Sequence, residues 1–148
     1  GKKVEHRFAN LFKNVVFSTD SEDIREHWDV ELRSKIDVKA IKKALRSDET
    51  KSEHYHWVEI KNVNGDKGWL YGDADFFAFE TWNYWIIVDK DDLQNYIKEN
   101  TDKTYMPMPV QNKLYKRTGR KDVITLVSTI DLAYICITMV KKQPNENN

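Results

Sequence analysis

The sequence predicts a mixed α/β chain, an α+β arrangement in which a central mixed or antiparallel sheet is flanked by helices. Three observations lead there. Several stretches alternate apolar and polar residues with the period of two that half-buried strands require, most clearly from Trp28 to Ile41. The helical stretches are few and short, too few to alternate with the strands as a doubly wound parallel fold would need. The chain has 148 residues, 40% of them hydrophobic and 12% aromatic, enough for one packed core.

Each element has its own signal. Residues 2–13 place Val4, Phe8, Leu11 and Phe12 at helical spacing with Lys and Arg between them, and Asn14 closes that amphipathic helix. Val15, Val16 and Phe17 read as a short strand. Asp20 or Ser21 caps a short helical turn through Arg25, with acids placed favourably at its N-terminal end. Trp28, Val30 and Leu32 then alternate with Asp29, Glu31 and Arg33, and Ile36, Val38 and Ala40 alternate with Lys35, Asp37 and Lys39. A hairpin turning around Arg33, Ser34 and Lys35 would collect the six apolar residues on one face. The same register sets Asp29, Glu31, Asp37 and Lys39 together on the other.

A short helix over residues 40–46 and a polar loop follow. Tyr55–Lys61 is a third strand, and Phe76–Glu80 with Tyr84–Val88 forms a second hairpin around Thr81–Asn83. Asp91 or Asp92 caps a helix running to about Asn100, and Pro107 and Pro109 mark a loop. Val123–Val127 is one more strand, and Thr129 caps a helix of Asp131–Ile135. One domain is expected over residues 1–142, with a polar disordered tail at 143–148.

Composition narrows the function. The apolar runs are too short for a transmembrane helix and no signal-peptide pattern opens the chain, so an intracellular protein without a membrane partner is expected. A single cysteine, Cys136, excludes an internal disulfide framework and a cysteine-based zinc site. The net charge is zero, with 24 basic and 24 acidic residues, unlike the basic excess of a non-specific nucleic-acid coat. The charges are nevertheless segregated. Acids crowd residues 17–31, whereas Lys35, Lys39, Lys42, Lys43 and Arg46 crowd the next stretch, and Lys113, Lys116, Arg117, Arg120 and Lys121 form a block without acids.

Asp29, Asp37 and Lys39 are the residues most suited to chemistry. Two converging carboxylates supply hard oxygen ligands for Mg²⁺ or Mn²⁺ while leaving positions for water and a phosphate oxygen. A lysine beside them can orient the attacking water and offset phosphate charge. Other candidates are weaker. His54 and His56 alternate on a strand without an evident third metal ligand, and His27 beside Trp28 reads as a boundary residue. Gly65, Gly68 and Gly72 read as turns rather than a phosphate-cradling loop. Ser18, Ser34 and Cys136 lack a base and an orienting partner. Trp69, Tyr71, Trp82 and Trp85 offer ring faces on which unpaired bases could stack.

The order of a helix with Glu5, a short strand, a strand with His27-Trp28-Asp29-Val30 and a strand with Asp37-Val38-Lys39 resembles the PD-(D/E)XK nuclease superfamily. Within it, the likeness is to archaeal-type Holliday-junction resolvases and small phage-encoded nucleases. It covers residues 1 to about 42, and Val58-Glu59-Ile60-Lys61 with Gly68-Trp69-Leu70-Tyr71-Gly72 also looks like some phage nucleases. Trp28 stands where Pro is common, and Asp37 where Glu is commoner. Glu59-Ile60-Lys61 is a second acid-x-Lys that would make Asp37 the lone aspartate. The first register is preferred because it leaves a helix and a strand upstream of Asp29.

The resemblance implies a restriction-endonuclease-like α-β-β-β-α-β core and a metal-dependent DNA endonuclease, resolvase-like and structure-selective. Its metal, Mg²⁺ or Mn²⁺, would be held by Asp29, Asp37, Glu5 and Glu59, with Lys39 completing the catalytic set. Lys42, Lys43, Arg46, Lys113, Lys116, Arg117, Arg120 and Lys121 would hold phosphates of duplex or branched DNA. A homodimer in a prokaryotic or virus-infected cell fits the same resemblance. The alternative is a catalytically inactive nuclease fold used for DNA binding or protein interaction.

Overall fold

Three of the four α-helices found among the described residues start where a side chain takes hydrogen bonds from the free amides of the first turn. The computed structural model describes residues 2–10, 12 and 14–143. Ten strands accompany the helices within those residues, giving the mixed α+β class that the alternation predicts. The chain divides into two compact units, Gly1–Lys35 and Ile36–Asn148.

In the first unit, α1 (Lys2–Ala9) leads to β1 (Val15–Phe17), α2 (Asp20–Glu26) and β2 (Val30–Leu32). The helix predicted over residues 2–13 ends at Ala9, while Leu11 and Lys13 lie outside the described residues. β1 and β2 form a two-stranded antiparallel sheet with Val16 opposite Glu31. Thr19, one residue before the predicted cap, closes a capping box on α2: its hydroxyl accepts from Glu22 N at 3.2 Å, and the Glu22 carboxylate accepts from Thr19 N at 2.7 Å. The two hydrogen bonds from Thr19 hold the Glu22 carboxyl below the usual carboxylate range.

In the second unit, β3 (Ile36–Lys39) precedes β4 (Tyr55–Lys61), a 3₁₀ turn at Trp69–Tyr71, β5 (Phe76–Glu80), β6 (Tyr84–Asp89) and α3 (Lys90–Asn100). Then come β7 (Asp102–Met106), β8 (Lys113–Tyr115), β9 (Val123–Ser128), α4 (Thr129–Ile135) and β10 (Thr138–Lys141). One four-stranded sheet has the order β10-β6-β5-β3, with β3 parallel to β5 and the other pairs antiparallel. The other has the order β4-β9-β8-β7, with only β7 and β8 parallel. Phe77, Phe79, Ile86 and Val88 of the first sheet share a core with Val58 and Val127 of the second, closed by Leu93 and Ile97 of α3 and Leu132 of α4.

The hairpin predicted across Arg33–Lys35 does not form, because β2 takes β1 as its partner and β3 takes β5. A two-residue hairpin turn of the favoured kind needs positive φ, and among the described residues the non-glycine ones that have it are Asn14, His27 and Asn112. Alternation marks a strand without naming its partner. The inward face of β3 is also reversed: Ile36 and Val38 are 52% and 58% exposed, whereas Asp37 and Lys39 are half-buried. The helix predicted over 40–46 is likewise absent. Ser52 N bonds Lys42 O in a short bridge, and the Asp48 carboxylate accepts from Leu45 N at 2.8 Å, an amide that a helix would need for its own ladder.

β4, β5, β6 and β9 stand where the alternation sets them. The cap of α3 falls two or three residues earlier than predicted, at Asp89, and that of α4 one residue earlier, at Ser128. β7, β8 and β10 carry no such signal. β8 is three residues long, and β7 and β10 are exposed along nearly their whole length. The predicted tail lies outside the described residues from Pro144 onward.

Candidate functional site

Successive side chains of a strand point to opposite faces, so Asp37 and Lys39 share the inward face of β3. The Lys39 ammonium lies 2.8 Å from Asp37 Oδ2 and 4.1 Å from the centre of the Trp69 ring. Its side chain is 21% exposed and that of Asp37 33%, so the cation is held by a carboxylate on one side and a ring face on the other. Trp69 rests on the core, with its ring centroid 5.0 Å from Phe77 and 6.3 Å from Phe79.

Glu59 reaches the same place from β4. Trp69 N donates to Glu59 Oε1 at 3.3 Å, and Gly68 N donates to Ile60 O at 2.8 Å. The backbone at Gly68 is pressed onto β4 so closely that a Cβ there would lie 2.4 Å from the Glu59 carbonyl oxygen. Gly68 is thus required for close approach, where the sequence marks only a turn. Lys39, Glu59 and Trp69, together with Lys42, Tyr55, His56 and Trp57, line a recess of about 190 Å³.

His56, also in that recess, is buried, and its ring meets the edge of Phe79 at 5.2 Å. Its Nε2 has no hydrogen-bond partner. Burial pushes its pKa down to about 4 against the opposing charges of Glu80 and Glu53, so the ring is neutral at pH 7. His54 is exposed and lies just before β4, so the two histidines do not form a ligand pair.

Lys42, Trp57, Glu59 and Trp69 also line an adjoining groove of about 850 Å³. Lys43, Arg46 and Arg117 supply further positive charge there, and Pro107, Met108, Pro109 and Tyr115 add an apolar wall. The first-sheet end of this region is anchored through Glu80, which accepts from Ile41 N at 3.0 Å and from Lys142 Nζ at 2.7 Å. Burial raises the Glu80 pKa, but its hydrogen bonds to Lys142 and Ile41 and the nearby lysine charges outweigh that and leave it lowered.

The sequence-predicted residues separate into groups. Lys39 and Glu59 line the recess, Asp37 is joined to it through its ion pair with Lys39, and Lys42, Lys43, Arg46 and Arg117 reach the groove. Lys113 pairs with Asp102 at 3.4 Å, Lys121 packs over Gly65, and Lys116 and Arg120 are exposed. Asp29 and Glu5 belong to the first unit: Asp29 is exposed beside β2, its carbonyl accepting from Ser18 N, and Glu5 is half-buried on α1. Lys61 is exposed, beyond a register shift in the β4–β9 ladder. Of the aromatic candidates Trp69 lines the groove, Tyr71 and Trp82 are exposed elsewhere, and Trp85 lies under Lys142. Sequence reasoning missed Trp57 and Tyr115. The signal for Trp57 was its position two residues before Glu59 on one strand, which puts both side chains on the same face.

Neither a protein-family model nor a curated protein nor a solved structure matches the chain. No helix among the described residues is long and apolar enough to cross a membrane.

Proposed function

We propose that the second unit carries the catalytic groups of a metal-dependent DNA endonuclease that hydrolyses phosphodiester bonds inside the cell. One observation supports this most: the recess that holds Lys39 and Glu59 runs into a groove lined by Lys42, Lys43, Arg46 and Arg117. Lys39 Nζ, steadied by Asp37 and Trp69, would meet the negative charge that develops on phosphate in the transition state. The four groove cations would hold flanking phosphates without reading sequence.

Among the described residues no three His, Cys, Asp or Glu side chains form a ready metal-binding group. Magnesium asks for less, since one or two carboxylates with waters and substrate phosphates commonly complete its shell; Glu59 in the recess and Asp37 beside Lys39 would be those carboxylates. A bound Mg²⁺ or Mn²⁺ would polarise the phosphate and lower the pKa of an attacking water. A second reading, DNA binding or protein interaction without catalysis, draws on the same residues. Asp37 is already engaged by Lys39 at 2.8 Å, and Glu59 by Trp69 N at 3.3 Å.

The deciding assay follows cutting of supercoiled plasmid, linear duplex, single strands and a four-way junction with Mg²⁺, Mn²⁺ or EDTA. Metal-dependent cutting is expected, reduced at least 100-fold in Lys39→Ala and Asp37→Ala, on the scale of losing one transition-state charge stabiliser. Folded protein that cuts nothing in either metal would leave the non-catalytic reading. Asp29→Ala and Glu5→Ala in the same assay test the role the resemblance gives these first-unit acids, and sedimentation tests the implied homodimer.

A further inference from the structure

We infer that the groove accepts an unpaired DNA strand in preference to intact duplex. The inference takes the identity of the polymer from the nuclease reading and the choice of strand state from the groove wall. The Trp57 and Tyr115 ring centroids lie 6.1 Å apart with their planes tilted by 35°, and both residues line the groove together with Pro107, Met108 and Pro109. A surface that follows only a duplex backbone needs cations and hydrogen-bond donors, because phosphates do not stack on rings. Bases do, and only an unpaired base has a face to offer, the faces of a paired base being covered by its neighbours in the duplex.

The groove also has the phosphate-binding half of such a site, held in place. Arg117 Nη2 donates to Asp122 Oδ2 at 2.6 Å, and the Asp122 side chain is only 5% exposed, so the guanidinium is fixed against the wall. Trp57 Nε1 donates to the Lys43 carbonyl at 3.3 Å, which ties the ring to the segment that carries Lys42, Lys43 and Arg46. β8 places Tyr115 opposite Ile124 of β9, whose own neighbour in sequence is Val123 of the core-facing ladder. Cations and ring faces thus line one groove together, the combination that binds single strands with little sequence preference. Its volume, about 850 Å³, falls in the range of roughly 300–1,000 Å³ typical of cavities that enclose small ligands, suited to a few nucleotides rather than a double helix.

The test is anisotropy titration of the whole chain in EDTA, which prevents cutting, with a labelled 15-nucleotide DNA strand and with the same strand annealed to its complement. The single strand is expected to bind at least tenfold more tightly and to quench tryptophan fluorescence. Tyr115→Ala should weaken single-strand binding about tenfold, the scale of one lost base stack, while leaving duplex binding unchanged. Tyr115→Phe keeps the ring and should bind as the parent does, which separates stacking from folding. Equal or tighter duplex binding, or equal loss of both substrates in Tyr115→Ala with Tyr115→Phe intact, would overturn the inference. Tighter binding of an RNA strand of the same sequence would overturn its DNA assignment. Single-strand preference without metal-dependent cutting would sink the nuclease reading alone, and cutting without that preference would sink this inference alone.

Discussion

The two units hold their charged residues in different ways. In the first, Ala9 is the only buried residue among those described, the strands are three residues each, and Asp29 faces solvent. Its order comes from local devices such as the Thr19–Glu22 capping box. In the second, a shared core lies beneath Trp69, Trp69 in turn contacts Lys39 and Glu59, and Lys39 holds Asp37. An acid or a lysine on an alternating strand is thus a solvated side chain where nothing lies below it. The same residue becomes a positioned group where an aromatic layer does.

The sharpest way to break this comparison is to remove the layer. Phe79→Ala empties a fully buried site against His56, Trp69 and Phe77 and should cost about 3–5 kcal/mol, read from urea unfolding. Ile24→Ala on α2, at a residue 72% exposed, should stay within about 0.5 kcal/mol. Similar costs at the two positions would erase the contrast between the units.

A smaller effect depends on pH. An unfolded histidine titrates near 6.5, whereas burial holds folded His56 near 4, so between those values protons favour the unfolded chain. His56 should therefore leave stability untouched above about pH 6.5, subtract from it as the pH falls towards 4, and level off below. The full loss is about 3 kcal/mol. Urea midpoints at pH 7 and pH 4.5 should show a shallower decline for His56→Gln than for the parent, and parallel declines would remove burial as the cause.

A still smaller loss is expected from the cap in the first unit. Thr19→Ala removes the cap of α2 and should cost about 1 kcal/mol, read as faster amide exchange across residues 20–26. Slowing of exchange in β5 or β6 is not expected, and faster exchange there would show that the cap supports more than its own helix.

Much of this was legible because its causes are local. The period of two located β4, β5, β6 and β9, and it put Asp37 and Lys39 on one face whatever their neighbours. The predicted caps missed by one to three residues because Asp, Ser and Thr cluster at both helix starts, and only backbone geometry selects which oxygen meets the amides. The partner of β3 was not legible. Its alternation is satisfied equally by β2 and by the more apolar β5, and β5 lies 37 to 41 residues further along, counting from Lys39 to Phe76 and Glu80. Nor was the joining of Glu59 to Lys39, which depends on Gly68 and Trp69 packing back onto β4.

By itself, then, the sequence determined the mixed class, most of the second unit's strands, and the Asp-x-Lys pair with its basic neighbours, since period, capping and charge act over a few residues. Tertiary structure alone decided which face of β3 turns inward, which acid joins its lysine, and that Trp57 and Tyr115 line one groove with Arg117. Those outcomes follow from packing between segments distant in the chain, where burial and ring contacts outweigh any local preference.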